Sequence, residues 1–261
     1  MKIIIAVLVL WSALQGCYLP RYAYSPAPNN VPVITEKKET KLGAYYSQNL
    51  SNHSRGLDLQ AAVAVSSRWA VQGAYFYRRE MNTGRTFEDS STIKYKRLAF
   101  EAALGYYIPL NQEKNIWFQV FAGGGRGKTK IDDQTVDVNN NSVMRYYIAN
   151  LNKLYIQPAF LFTFNGKISV ALSSRITKIA FTNQHTNYTS ENLVSYQLNL
   201  LHKSILFWEP ALVQSFEFTV LPGVRFDYQL GFSARLNEVL ISSRSFNFSA
   251  GIFLDIPKLI K

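Results

Sequence analysis

From about residue 41 onward the chain repeats one pattern: apolar side chains at every second position, in segments of about ten residues. In the stretch 97–108, Leu98, Phe100, Ala102, Leu104, Tyr106 and Ile108 fall on one side, and Arg97, Ala99, Glu101, Ala103, Gly105 and Tyr107 on the other. Successive side chains of a strand point to opposite faces, so this period of two predicts strands with one apolar face. Leu57–Val65, 167–177, 224–233 and 246–255 alternate in the same way, and helical spacing is nowhere sustained. The pattern predicts about ten strands, near 41–49, 57–66, 69–79, 95–108, 115–130, 147–164, 167–181, 205–219, 222–234 and 243–256. Ser66-Ser67-Arg68, Asn165-Gly166 and Leu221-Pro222-Gly223 are tight turns, whereas the polar stretches 80–94, 131–146 and 182–204 read as long loops. Short turns alternating with long loops indicate an all-β fold, a closed antiparallel up-and-down barrel of about ten strands, with eight as the alternative.

The two faces differ in a way that bears on their surroundings. The apolar faces are bulky and aromatic, and the opposite faces mix Gly, Ala and Ser with charges of both signs. The positive members are Arg78, Arg97, Lys153, Lys167, Arg175 and Arg225, and the negative ones Asp58, Glu101, Glu209, Glu217 and Asp227. Buried charges persist only when paired, so in a narrow barrel these side chains are expected to meet across a plugged lumen. That arrangement puts the apolar face outward, toward lipid. The reverse, a lipocalin-like barrel around an apolar ligand, is the soluble alternative. Charged residues make up only 17% of the chain, yet no run beyond the first residues approaches the ~20 apolar residues of a membrane helix. Tyr45, Tyr46, Tyr75, Tyr77, Trp117, Tyr146 and Trp208 are candidates for interfacial belts.

The chain opens MKIIIAVLVLWSALQGC. A lysine, a short apolar stretch and small residues read as a secretory signal peptide over 1–16. Leu14-Gln15-Gly16-Cys17 resembles the lipobox of bacterial lipoproteins, which implies acylation of Cys17, the only cysteine; Tyr18 after it implies outer-membrane sorting. Residues 17–40, rich in proline and tyrosine and ending in a charged run, read as a lipidated tether, and 41–261 as the barrel domain. An even strand count places both ends of the barrel on the periplasmic side, where the tether would reach the inner leaflet. The net charge of +11 favours outer-membrane lipids or lipopolysaccharide as neighbours, with a surface or periplasmic protein as a further partner, over nucleic acid or nucleotide.

Taken together, Asn30-Val31-Pro32, the run Glu36–Lys41 and Gly56–Val65 resemble small outer-membrane β-barrel proteins of Gram-negative bacteria, in their variants with a lipoprotein-type signal peptide. The resemblance implies a cell-envelope barrel without a catalytic signature. The carboxyl end, Asp255–Lys261, departs from the terminal aromatic usual in that family.

Ala122–Thr129, AGGGRGKT, has the spacing of a phosphate-binding loop and follows a strand-like run, Ile116–Phe121. Such a loop needs a helix next, whose first N–H groups hold the phosphates. The following KIDDQTVDVNNN is a poor helix start, so the stretch is read as a strand whose Arg126, Lys128 and Lys130 form a basic rim. His53, His185 and His202 lack metal-ligand spacing, and no metal or cofactor is predicted. Ser190, Glu191 and His185 share one loop and are the only hint of a lipid A or phospholipid acyl hydrolase or transferase. The reading that follows is a structural or surface-binding outer-membrane lipoprotein with no catalytic residues.

Overall fold

Each alternating segment forms a strand in the computed structural model, which describes residues 20–49, 53–85, 89–137, 139–164 and 166–259. The predicted signal peptide and Cys17 lie outside the described residues. The strands are β1 Thr40–Gln48, β2 His53–Ala64, β3 Trp69–Arg85, β4 Asp89–Pro109, β5 Ile116–Asp137, β6 Ser142–Phe164, β7 Ile168–Thr186, β8 Ile205–Glu217, β9 Val224–Phe232, β10 Ala234–Arg235 and β11 Phe246–Asp255. Neighbours from β1 to β9 pair antiparallel in chain order, β11 pairs with both β9 and β1, and the sheet thereby closes on itself. The two-residue β10 continues the ladder against β8, so ten strands form the wall and one short strand is added. Closure leaves no strand edge free to pair with another chain. Two short helices, α1 (Ser190–Ser195) and α2 (Ile256–Leu259), and a 3-10 turn (Asn199–His202) complete the elements.

The tight turns named above fall at one end, together with the start of β1 and the finish of β11; the two longest connections, 187–204 and 236–245, fall at the other. The stretches 80–94 and 131–146, read above as loops, are instead strand: β3 and β4 run on to a connection over 86–88, and β5 and β6 to one over 138–141. The structure shows why. At the short-turn end of β4 the outward residues are Leu98 to Ile108, and the inward ones include buried Arg97 and Glu101. Toward the long-loop end the same strand turns Ile93 and Tyr95 inward, fully buried, and Lys94 and Lys96 outward. The period of two persists but its phase slips by one residue. The slip recurs on β5, β6 and β7, whose upper inward residues Ile131, Tyr147, Ala149, Leu151, Ile179 and Phe181 pack with Leu198, Leu201, Ile205, Phe207 and Ile241 in one apolar core.

The outer wall is therefore apolar along its lower part and basic above it, while apolar clusters lie inside at both levels, the lower one including Tyr107, Trp117, Phe121 and Leu161. On β4 the outward apolar stretch spans Leu98–Ile108, which at ~3.3 Å per residue and a tilt of ~40° is about 25 Å tall. Room for bulky luminal rings comes from glycine: a Cβ on Gly105 would stand 2.2 Å from the Phe121 ring on the facing strand.

Candidate functional site

The lumen is filled, and much of the filling is the chain's own amino-terminal segment. Residues 20–39, expected to hang outside as a tether, run through the barrel from the long-loop end to the short-turn end. Ala23, Tyr24, Ser25, Asn29, Asn30, Val31, Val33 and Ile34 are all buried there. At the upper end the Tyr95 hydroxyl donates to the carbonyl of Pro20 (3.0 Å), and Arg21 pairs with buried Asp133 at 2.6 Å. Asp133 also accepts from the Tyr188 hydroxyl (2.9 Å) in the loop after β7. Burial, and then the Asp133 carboxylate, hold the Tyr188 phenol above the ordinary tyrosine range. At the lower end Glu39 accepts from the backbone N–H groups of Thr35 and Glu36 and pairs with Lys41, which also meets Asp255 at 2.8 Å.

Ala23 and Tyr24 pair their backbone with Ser242–Arg244; the rest of the extended segment must satisfy its backbone elsewhere, and the wall supplies partners. Arg78 is fully buried and donates to Ser25 Oγ (2.9 Å), the Pro26 carbonyl (3.2 Å), Asn49 Oδ1 (2.8 Å), Ser47 Oγ (2.9 Å) and Asn247 Oδ1 (2.9 Å). The Tyr24 hydroxyl donates to Glu209 at 2.6 Å, Asn29 Nδ2 to Ser173 Oγ at 2.9 Å, and Gln157 Nε2 to the Asn30 carbonyl at 2.7 Å.

Most of the remaining charges close on one another; Asp58, expected among them, makes no ion pair among the described residues, because the Arg78 guanidinium on the next strand is turned to Ser25, Ser47, Asn49 and Asn247. Glu101 binds Lys153 at 2.7 Å and Arg175 at 3.3 Å, while Lys153 also stands 3.9 Å from Glu209. Arg175 donates to Gln157 Oε1 (2.7 Å), and Glu209 accepts from Thr177 (2.7 Å). Arg97 pairs with Glu80 at 2.9 Å. Asp227 accepts from Tyr45 at 2.8 Å, and Arg225 reaches Ser169 at 3.2 Å and Glu217 at 3.7 Å. Asp58 is buried on β2 between Tyr45 and Phe76 of the adjoining strands. Lys167 is a correction: it stands exposed at the short-turn end and reaches only Thr219 (3.3 Å), because it belongs to the Asn165-Gly166 turn and projects past the wall. Tyr45 and Trp117 also leave the proposed belts, since both point inward and are buried. The sequence reading missed Arg21, Lys41, Glu80, Asp133, Arg244 and Asp255. The first two lie in or beside the segment taken for a tether, and Glu80 and Asp133 lie in stretches taken for loops.

On the outside, Arg126 and Lys128 are exposed and Lys130 partly so, all on β5 at the upper margin of the apolar belt, the first two in register with Phe100 and Leu98. AGGGRGKT lies within β5, and the chain continues as strand to Asp137, so no helix follows to hold phosphates. His185 is exposed on β7, Ser190 and Glu191 open α1, and no hydrogen bond or ion pair joins the three among the described residues. No cluster of three His, Cys, Asp or Glu suited to a metal ion occurs among the described residues either.

No protein-family model and no curated protein sequence matches the chain. Solved structures similar to it are bacterial barrels, at low identity. The translocator domain of the autotransporter NalP from Neisseria meningitidis is 9% identical over 84% of this chain and 87% of that one, with a TM-score of 0.40. LpxR from Salmonella typhimurium is 7% identical over 82% and 99%, with a TM-score of 0.36. Ail, the attachment invasion locus protein of Yersinia pestis, is 14% identical over 56% and 93%, with a TM-score of 0.29. At these values each likeness is loose; the barrel is established by the strand pairing itself.

Proposed function

We propose that this chain is an outer-membrane barrel lipoprotein, closed by its own amino-terminal segment, with a structural or surface-binding role and no catalysis. The inversion of polarity along single strands carries this reading. A barrel in one solvent has one outward polarity, whereas this wall is apolar outside for about 25 Å and then becomes basic outside. That sequence of faces fits lipid below and water above. The surface offered to a partner is then the tall β3–β4 and β5–β6 hairpins and the segment 187–204, and function is argued from those sites rather than from the barrel.

The lipobox-like LQGC supports an acyl anchor at Cys17. Three residues further on, Pro20 lies beside Tyr95 in the upper part of the lumen, above the belt. Three extended residues span at most about 11 Å, less than half the height of the belt. An anchored Cys17 therefore belongs with the long-loop side, not with the inner leaflet expected from the strand count alone.

The test is a charge placed in the belt. Leu104 sits mid-belt on β4 and is exposed, so Leu104→Arg is expected to cost about 2–4 kcal/mol of stability in lipid bilayers, whereas Leu104→Ala costs far less. Urea titration of the vesicle-folded protein reads this. Equal midpoints for wild type and Leu104→Arg would mean that the face meets water.

A further inference from the structure

Just above the apolar belt the outer wall carries a row of cations set side by side. Strand pairing places Arg55 directly opposite Arg79, Arg79 opposite Lys96, and Lys96 opposite Lys130. Arg126 and Lys128 continue the patch lower on β5, opposite Phe100 and Leu98. Like charges directly opposite one another on a sheet repel, and a soluble surface would intersperse acids among them. One carboxylate does so here: Asp132 pairs with Lys130 at 2.9 Å and lies opposite Lys94. Arg79 leans on the Tyr77 ring and donates to its hydroxyl. Arg55, Lys96, Arg126 and Lys128 have no ion-pair partner among the described residues.

Beside the row lies an open groove of about 440 Å³. Its lining runs side by side across four strands: Leu98 and Phe100 on β4, Arg126 and Lys128 on β5, Asn150 and Asn152 on β6, and Thr182 and Asn183 on β7. Asn152 Nδ2 reaches Thr182 only weakly, at 3.5 Å, so these groups remain free to bind. Apolar side chains, cations and neutral hydrogen-bonding groups set next to one another on adjacent strands match three parts of one molecule. They are acyl chains, phosphates and sugar hydroxyls.

We propose that this patch binds a phosphorylated glycolipid of the leaflet at the long-loop end. Its phosphates lie on the Arg79–Lys96–Lys130 row and on Arg126 and Lys128, and its chains run down over Phe100 and the belt. The proposal rests on the membrane-spanning reading and adds the lipid class. The test uses the full barrel in phosphatidylcholine nanodiscs, with and without diphosphoryl lipid A as the probe, and reads retained lipid by native mass spectrometry. Wild type is expected to retain the diphosphoryl lipid over its dephosphorylated form and over phosphatidylglycerol. The variant R79Q/K96Q/R126Q/K128Q is expected to lose that retention by at least about tenfold, since each basic residue near an anionic surface contributes. In phosphatidylcholine alone the variant should unfold at the same or a higher urea concentration, because repulsion has been removed. Equal retention by wild type and variant, or equal retention of phosphatidylglycerol and of the glycolipid, would overturn the proposal. A wild-type chain that never enters the disc contradicts the membrane reading, and the lipid site with it.

Discussion

Replacing Glu101 by alanine is expected to destabilise the barrel by about 3–5 kcal/mol, the cost of leaving buried charge uncompensated. Among the described residues Glu101 is the only carboxylate within salt-bridge distance of Arg175 and the nearer of two to Lys153, at 3.3 and 2.7 Å. Without it Lys153 keeps one carboxylate, Glu209, at 3.9 Å, and Arg175 keeps the neutral Gln157 oxygen and the face of the Tyr155 ring. Removing the whole quartet together, as Glu101→Leu and Glu209→Gln with Lys153→Met and Arg175→Met, should restore most of the loss, because no member is then left without its counter-ion. Urea midpoints of the two variants folded in the same vesicles decide it. A loss below about 1 kcal/mol for Glu101→Ala would mean that water reaches these charges and that the lumen is not closed at their height.

The second large effect concerns the threaded segment. Deleting residues 21–34 is expected to convert a non-conducting barrel into one that passes ions in planar bilayers. The wall groups that now hold the segment, Arg78, Gln157, Ser173 and Glu209, would face water in its place. These groups carry charge and hydrogen-bonding capacity, so the emptied channel is polar and wettable. Heat-shift electrophoresis of the deletion variant would establish that it still closes. A closed, folded variant without conductance would show that wall side chains alone fill the lumen.

The barrel was legible because lipid and lumen impose opposite demands on alternate residues, and ten segments answer them with a clean period of two. Most of the luminal charge set could be read for the same reason: Arg78, Glu101, Arg175 and Glu209 stand on the polar side of well-marked strands. The upper hairpins were not legible because the phase of the pattern slips. Ile93 and Tyr95 occupy odd positions, Leu98 and Phe100 even ones, and across that join the sequence looks merely polar and irregular. Lys167 was misread because a turn residue next to a strand shares its parity without sharing its wall. The segment 20–39 was misread for another reason. It has no period, and its prolines, asparagines and tyrosines look like those of a solvated linker; only the positions of Arg78, Gln157 and Glu209 on distant strands explain them. Polar residues in such a segment are informative once their partners are known.

Electrophoresis in SDS of the Cys17→Ala chain from detergent-extracted outer membranes, with and without boiling, tests the central claim most directly. Removing the thiol removes any acyl anchor, so only the barrel can hold the protein in the membrane. The expected result is retention in the membrane fraction until detergent is added, with an unboiled band that migrates faster than the boiled one. Release into the aqueous fraction without detergent, with a single band at the same position before and after boiling, would contradict a membrane-spanning barrel.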